Sequence, residues 1–183
     1  MILVRHAPTA SNDSSIYMGG LDIPATGEGL AESHDQAAAI RALGPFRLAV
    51  SSPLARAVQT LDAIRPDNVE YLLDKRLSER RLGTWEGKEK ASLQRDYPEA
   101  FLPSGVLDAR YAFESGESLP EFATRVEEFL ADYVHENVLV VTHNGWIRTA
   151  RYLCGEISRD DIFSESEPHN RALTLAGRVG TVI

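Results

Sequence analysis

Three short apolar runs constrain this chain most: Ile2-Leu3-Val4, Leu48-Ala49-Val50 and Val138-Leu139-Val140-Val141, the last closed by Thr142. Each is too short for a helix, and their branched side chains fit a pleated interior covered on both faces. Between them lie longer stretches with helical spacing. One runs from about Thr26, a good N-cap, to Leu43, with Leu30, Ala37, Ile40 and Ala42 among its apolar positions. In SSPLARAVQTLDAI the second run turns sharply into a helix, for which Ser52 is the expected N-cap and Pro53 the expected first residue. A helix from about Leu119 carries Phe122, Val126, Phe129, Leu130 and Tyr133, and another begins near Asn144 and passes Ile147, Ala150 and Leu153. Strands alternating with helices predict an α/β fold, a three-layer α/β/α sandwich with a largely parallel central sheet. Further strands are expected at Val69–Leu73 and near 171–176 and 178–183, the last two joined at Gly177, with short helices over 89–103.

No repeat, linker or low-complexity segment divides residues 1–183, so one domain is expected. The single cysteine, Cys154, excludes an internal disulfide. The first residues lack a secretory pattern, and no apolar run approaches the ~20 residues of a membrane helix, so a cytoplasmic protein without a membrane partner is expected. A net charge of −8 argues against nucleic acid as partner. The stretch KRLSERRLGTWEGKEK, residues 75–90, is a local basic exception, a solvated loop or an aid in attracting a small anion. A homodimer is left open.

Ligands of open α/β sheets bind beyond the carboxyl ends of the strands. The three apolar runs end in Arg5-His6, in Ser51-Ser52 just before Arg56, and in His143. Parallel strands would bring two histidines and two arginines to one edge. Arginine offers planar, permanent donors that match phosphate oxygens in pairs, and Arg56 would sit in the first turn of a helix, at its positive end. Beside such a clamp a histidine is held neutral and can act as a nucleophile. A zinc site from His6, His143 and Glu79 is the competing reading; it suffers from the repulsion of two arginines and from the absence of HExxH spacing. The chain has no GxGxxG after a strand, no GxxxxGK[ST] and no GxSxG elbow, which leaves dinucleotide, P-loop and serine-hydrolase chemistry without support.

These motifs resemble those of the histidine phosphatase superfamily, the phosphoglycerate-mutase-like group that includes α-ribazole-phosphatase-like members. RHAPT is similar to the family's RHG[EQ]T, GGLDIPATGEG to G-x-x-D-x-P-L-T-x-x-G, and SSPLARAVQT to SSPLxRAxQT. LSERRLGTWEG, SGES and VTHNG follow in family order and span nearly the whole chain. The resemblance implies a phosphoglycerate-mutase-like fold and a cofactor-free, metal-free hydrolase of small phosphorylated metabolites. In that scheme His6 carries the phosphoryl group, Arg5, Arg56 and His143 hold its oxygens, and Glu79 serves as general acid and then base. Asn12 falls on a phosphate-contacting position, with Thr9, Arg80 and Asn144 as weaker substrate contacts.

The chain departs from the family pattern at Ala7, where the family has glycine, followed by Pro8, and at Asn144, which replaces the first glycine after the histidine. Pro8 is expected to reduce the backbone donors that reach phosphate. A phosphoric monoester hydrolase is the favoured activity. A phosphoglycerate mutase that returns the phosphate to substrate, or a non-catalytic phosphate-binding module, are the alternatives. Segments 12–21 and 101–117, with Tyr17, Phe101, Tyr111 and Phe113, would read the rest of the substrate or pack as a helical flap.

Overall fold

A computed structural model describes residues 1–12, 15–133 and 136–175. Its elements run β1 (Ile2–Arg5), α1 (Gly27–Arg41), β2 (Leu48–Ser51), α2 (Ala55–Ile64), β3 (Tyr71–Leu73), α3 (Lys90–Asp96), α4 (Leu119–Tyr133), β4 (Val138–Thr142), α5 (Asn144–Leu153) and β5 (Ala172–Thr174). The sheet has five strands in the order β3-β2-β4-β1-β5. Three of its pairings are parallel, and only β5 runs antiparallel, against β1. The fold is the expected α/β sandwich, a largely parallel sheet flanked by helices.

Alternation along the strands divides the core in two. Leu3, Val50, Val138 and Val140 face α4 and α5, meeting Phe122, Val126, Phe129 and Trp146. Ile2, Val4, Ala49, Leu139 and Val141 face α1 and α2, meeting Ile40, Leu61 and Ile64. The inner strands β1, β2 and β4 are buried on both sides, which is why their sequences read as unbroken apolar runs rather than as alternating ones, while the edge strands β3 and β5 are largely exposed. A third apolar cluster lies apart from the sheet: Trp85 packs against Tyr17, Tyr97, Phe101, Tyr111 and Phe113, with ring centroids 5.0–6.1 Å away.

Helix α1 starts where expected, with the Thr26 side chain accepting from the Gly29 amide. Helix α2 does not. It begins at Ala55 with Leu54 in the cap position, and it is Asp22, from the GGLDIP segment, whose Oδ1 accepts the Ala55 N–H at 2.7 Å. Ser52 Oγ accepts from the Leu54 amide at 3.3 Å, one residue before the helix, and also meets a partner at the end of another strand, described below. The expected third strand is shorter than Val69–Leu73, the 89–103 segment forms α3 and a 3-10 turn, and the expected strand at 178–183 lies outside the described residues.

Candidate active site

The strand register fixes the site. Arg5 pairs with Thr142 and Ser51 with Val141, so β1, β2 and β4 end at one edge. Beyond that edge opens a cleft of about 380 Å³, whose lining includes Arg5, His6, Arg56 and Glu79. The His143 ring is fully buried next to it, 5.0 Å from the His6 ring. The structure therefore brings together the five residues on which the sequence argument rested.

The geometry selects a tautomer for His6. Its Nδ1 lies 2.7 Å from the Ala7 carbonyl, an acceptor only, so Nδ1 must carry the proton. Nε2 then holds the lone pair, and Arg56 Nε donates to it at 3.3 Å. Burial, reinforced by the neighbouring Arg56 charge, holds the His6 imidazole well below its ordinary pKa. A neutral imidazole whose Nε2 lone pair is freed when a phosphoryl oxygen takes over the Arg56 donor can attack an electrophilic phosphorus. His143 is likewise held well below the usual range, by burial first and Arg56 second. Its Nε2 meets at 2.8 Å the Ser52 hydroxyl, which also accepts from the Leu54 amide just before α2.

Both arginines are anchored through carbonyls. Arg56 Nη1 donates to Leu21 O at 2.6 Å and Nη2 to Gly19 O at 3.2 Å. Arg5 Nη1 donates to Glu167 O at 2.6 Å. Burial lowers Arg5 to about 10, which leaves it charged at neutral pH. Arg5 Nε and His143 Nδ1 are buried without a hydrogen-bond partner. Unmatched buried polar groups are costly.

Glu79 is presented by backbone groups. Its Oε1 accepts from the Arg80 amide at 3.0 Å and its Oε2 from the Gly145 amide at 2.9 Å, in the first turn of α5. Gly145 has to be glycine for this approach, because a Cβ there would lie 2.5 Å from Glu79 Oε1. The loop behind Glu79 is gripped by Arg125 of α4, which donates to the carbonyls of Arg76, Ser78 and Glu79 and pairs with the Glu117 carboxylate at 2.7 Å.

The weaker candidates divide. Asn12 lines the cleft, and its Oδ1 accepts from Thr9 N at 2.6 Å and Thr9 Oγ1 at 2.9 Å, so Thr9 orients Asn12. Arg80 also reaches the cleft lining, but its three guanidinium nitrogens donate to the carbonyls of Glu117, Ala109 and Tyr111. Arg80 ties the 109–117 segment to the acid loop. Asn144 borders the cleft with its Oδ1 accepting from Glu167 N at 2.7 Å. Of the four aromatics, Tyr17 alone lines the cleft; Phe101, Tyr111 and Phe113 pack around Trp85. In the basic stretch, Arg76 pairs with Asp74 and Asp132, while Lys90 lines the cleft.

The departure at Ala7-Pro8 is absorbed by packing. The Ala7 amide donates to Thr60 Oγ1 at 2.8 Å rather than to the cleft. Pro8 rests on α1 at Gly29, where a Cβ would come within 2.8 Å of Pro8 Cδ. Among the described residues no group of three or more His, Cys, Asp or Glu side chains is arranged to hold a metal ion, and no helix is long and apolar enough to cross a membrane.

Three residues around the site escaped the sequence reading: Arg125, Glu167 and His169. His169 Nδ1 donates to the His6 carbonyl at 2.5 Å, and its ring stands 5.3 Å from that of His6. An arginine inside the apolar stripe of α4 was a visible signal for Arg125. The other two act on or through backbone atoms, which leave no mark in a sequence.

Known proteins of the same build include phosphoserine phosphatase 1 of Hydrogenobacter thermophilus, 31% identical over 78% of this chain and 70% of that protein. A 2,3-bisphosphoglycerate-dependent phosphoglycerate mutase of Gloeobacter violaceus is 30% identical over 81% of this chain and 72% of its own length. The structure of a mycobacterial glucosyl-3-phosphoglycerate phosphatase complexed with VO3 aligns with a TM-score of 0.80 and 25% identity, over 94% of this chain and 88% of that one. The model of the histidine phosphatase superfamily (branch 1) matches residues 1–176, and the chain belongs to that family.

Proposed function

We propose that the protein is a phosphomonoesterase that hydrolyses a small phosphorylated metabolite through a phosphohistidine on His6. The observation that carries this reading is the His6 tautomer: Nδ1–H is held by the Ala7 carbonyl, so the lone pair is on Nε2, where Arg56 donates to it in the cleft that Arg5 also lines. In the first half-reaction Nε2 forms a bond to phosphorus while the ester P–O bond breaks. The departing oxygen takes the bond's electron pair and a proton from the carboxyl of Glu79. Arg5 and Arg56 stabilise the charge on the phosphoryl oxygens, and His143 adds a polar contact. In the second half-reaction the Glu79 carboxylate takes a proton from water, the water oxygen bonds to phosphorus, and the N–P bond returns its pair to Nε2. Proximity supports the pairing, since the Glu79 charge acts on both Arg5 and Arg56.

Mutase-type transfer is the second reading, favoured by the Gloeobacter relative. It shares the first half-reaction and differs only in the acceptor. Turnover of p-nitrophenyl phosphate in chelator tests the shared step: the wild type is expected to release phosphate, and His6→Ala to lose at least about 1,000-fold and to show no acid-labile phosphoryl label. Near-normal activity of His6→Ala overturns the assignment. Incubation with 3-phosphoglycerate and its bisphosphate separates the two readings, phosphate release supporting the first and isomerisation the second.

A further inference from the structure

The amide, carbonyl and carboxylate of Glu167 are all engaged, two of them by the cleft-lining residues Arg5 and Asn144. Its carbonyl accepts Arg5 Nη1 at 2.6 Å. Its amide donates to Asn144 Oδ1 at 2.7 Å. Its carboxylate accepts from Arg148 Nη1 at 3.2 Å and Arg151 Nη1 at 2.7 Å. Asn144, Arg148 and Arg151 stand four and three residues apart on α5, so they share one helix face and grip the residue together. Pro168 follows and restricts Glu167 to extended backbone geometry. With the amide and the side chain both held to α5, the direction of the Glu167 carbonyl is fixed, and with it the guanidinium of Arg5.

We infer that Asn144 is a positioning residue for Arg5, acting through the backbone of Glu167 to hold the guanidinium against a bound phosphoryl group. This rests on the reading of Arg5 as a phosphate ligand. It gives the departure from the family's glycine a role: the side chain that glycine lacks ties α5, which begins directly after His143 and whose Gly145 amide holds Glu79, to the segment that holds Arg5. One helix start thereby sets the relative placement of the second histidine, the acid and the strand-end arginine. The Arg5 main chain is held from the same segment, its carbonyl accepting from Asn170 N at 3.1 Å.

The test is a double-mutant cycle read by calorimetric titration of inorganic phosphate at pH 7, with the thermal midpoint of each variant as a folding control. Asn144→Ala is expected to weaken phosphate roughly tenfold, a loss of the size small misplacements produce, and to have no further effect in an Arg5→Ala background. Arg151→Gln removes a hold on Glu167 outside the cleft lining. It is expected to weaken phosphate by about threefold, again only while Arg5 is present, and it serves if Asn144→Ala fails to fold. If Arg5→Ala weakens phosphate but either variant keeps its own full effect on top of it, or has none in the wild type, this inference falls while the reading of Arg5 stands. If Arg5→Ala leaves phosphate affinity unchanged, both fall.

Discussion

Gly145 shows how a single missing methyl group places a catalytic candidate. Its amide holds Glu79 Oε2 at 2.9 Å, and an added Cβ would sit 2.5 Å from Oε1. Gly145→Ala therefore has to displace the carboxyl from the place where a leaving oxygen would meet it. The expected outcome is a loss of about 100-fold in kcat for alkyl phosphates, which need a proton on departure, and a much smaller loss for p-nitrophenyl phosphate, which does not. An equal loss for both would mean that Glu79 does not deliver that proton. At this scale the sequence was legible where the side chains that gather at the cleft belong to short motifs: His6, Arg56, Glu79 and His143 could all be named as candidates. It was silent where a residue works by its backbone, as Glu167 does for Arg5, or by touching one, as His169 does for the His6 carbonyl. What holds Arg80 stayed hidden for a related reason, since nothing local reveals that three carbonyls of a distant segment occupy its guanidinium.

At the scale of elements, α2 carries Arg56 in its second position and depends on a cap from far along the chain. Asp22 Oδ1 takes the Ala55 N–H at 2.7 Å, and the preceding carbonyl, Leu21 O, takes Arg56 Nη1 at 2.6 Å. Cap and anchor thus come from adjacent residues of one loop. Asp22→Ala is expected to cost about 1 kcal/mol in urea unfolding, the usual worth of an N-cap, and also to weaken phosphate binding several-fold because the Leu21 carbonyl is released with it. Loss of stability with unchanged phosphate affinity would show that cap and anchor are independent. The inner strands and long helices were readable because burial on two faces leaves an unbroken apolar run, and burial on one helical stripe imprints periodicity over many residues. The start of α2 was misread because the turn held by Ser52 Oγ, which accepts from the Leu54 amide at 3.3 Å, ends before the helix, whose first amide goes to Asp22 instead. The Ser52 hydroxyl also meets His143 from the neighbouring strand end at 2.8 Å, a pairing fixed by sheet order and not by local sequence.

Across the whole molecule, the cleft stores an unfavourable charge arrangement that should appear as pH-dependent stability. His6 and His143 are held well below the ordinary histidine range, and His169 is lowered to about 4 by burial and then by Arg5. The unfolded chain binds protons at these three sites near pH ~6.5, and the folded chain does not. Below that value the unfolded state therefore holds more protons, so stability is full above about pH 6.5 and declines as pH falls, until the folded histidines themselves titrate, at about 4 for His169. Carboxylates with lowered values, such as Asp74, Asp108 and Glu121, act in the same direction but start from 3.8 to 4.5, which leaves the range from 7.5 to 5 to the histidines. Urea unfolding across that range should show falling stability in the free protein and a shallower fall in His169→Gln. Inorganic phosphate should offset the fall at pH 5, because it binds the folded state and its charge relieves the penalty on imidazolium; at 100 times its Kd the mass-action gain is about 2.7 kcal/mol. Stability that stays level from 7.5 to 5 would mean that the histidines are not held neutral by their surroundings. A fall that phosphate leaves untouched would mean that the anion does not bind among them.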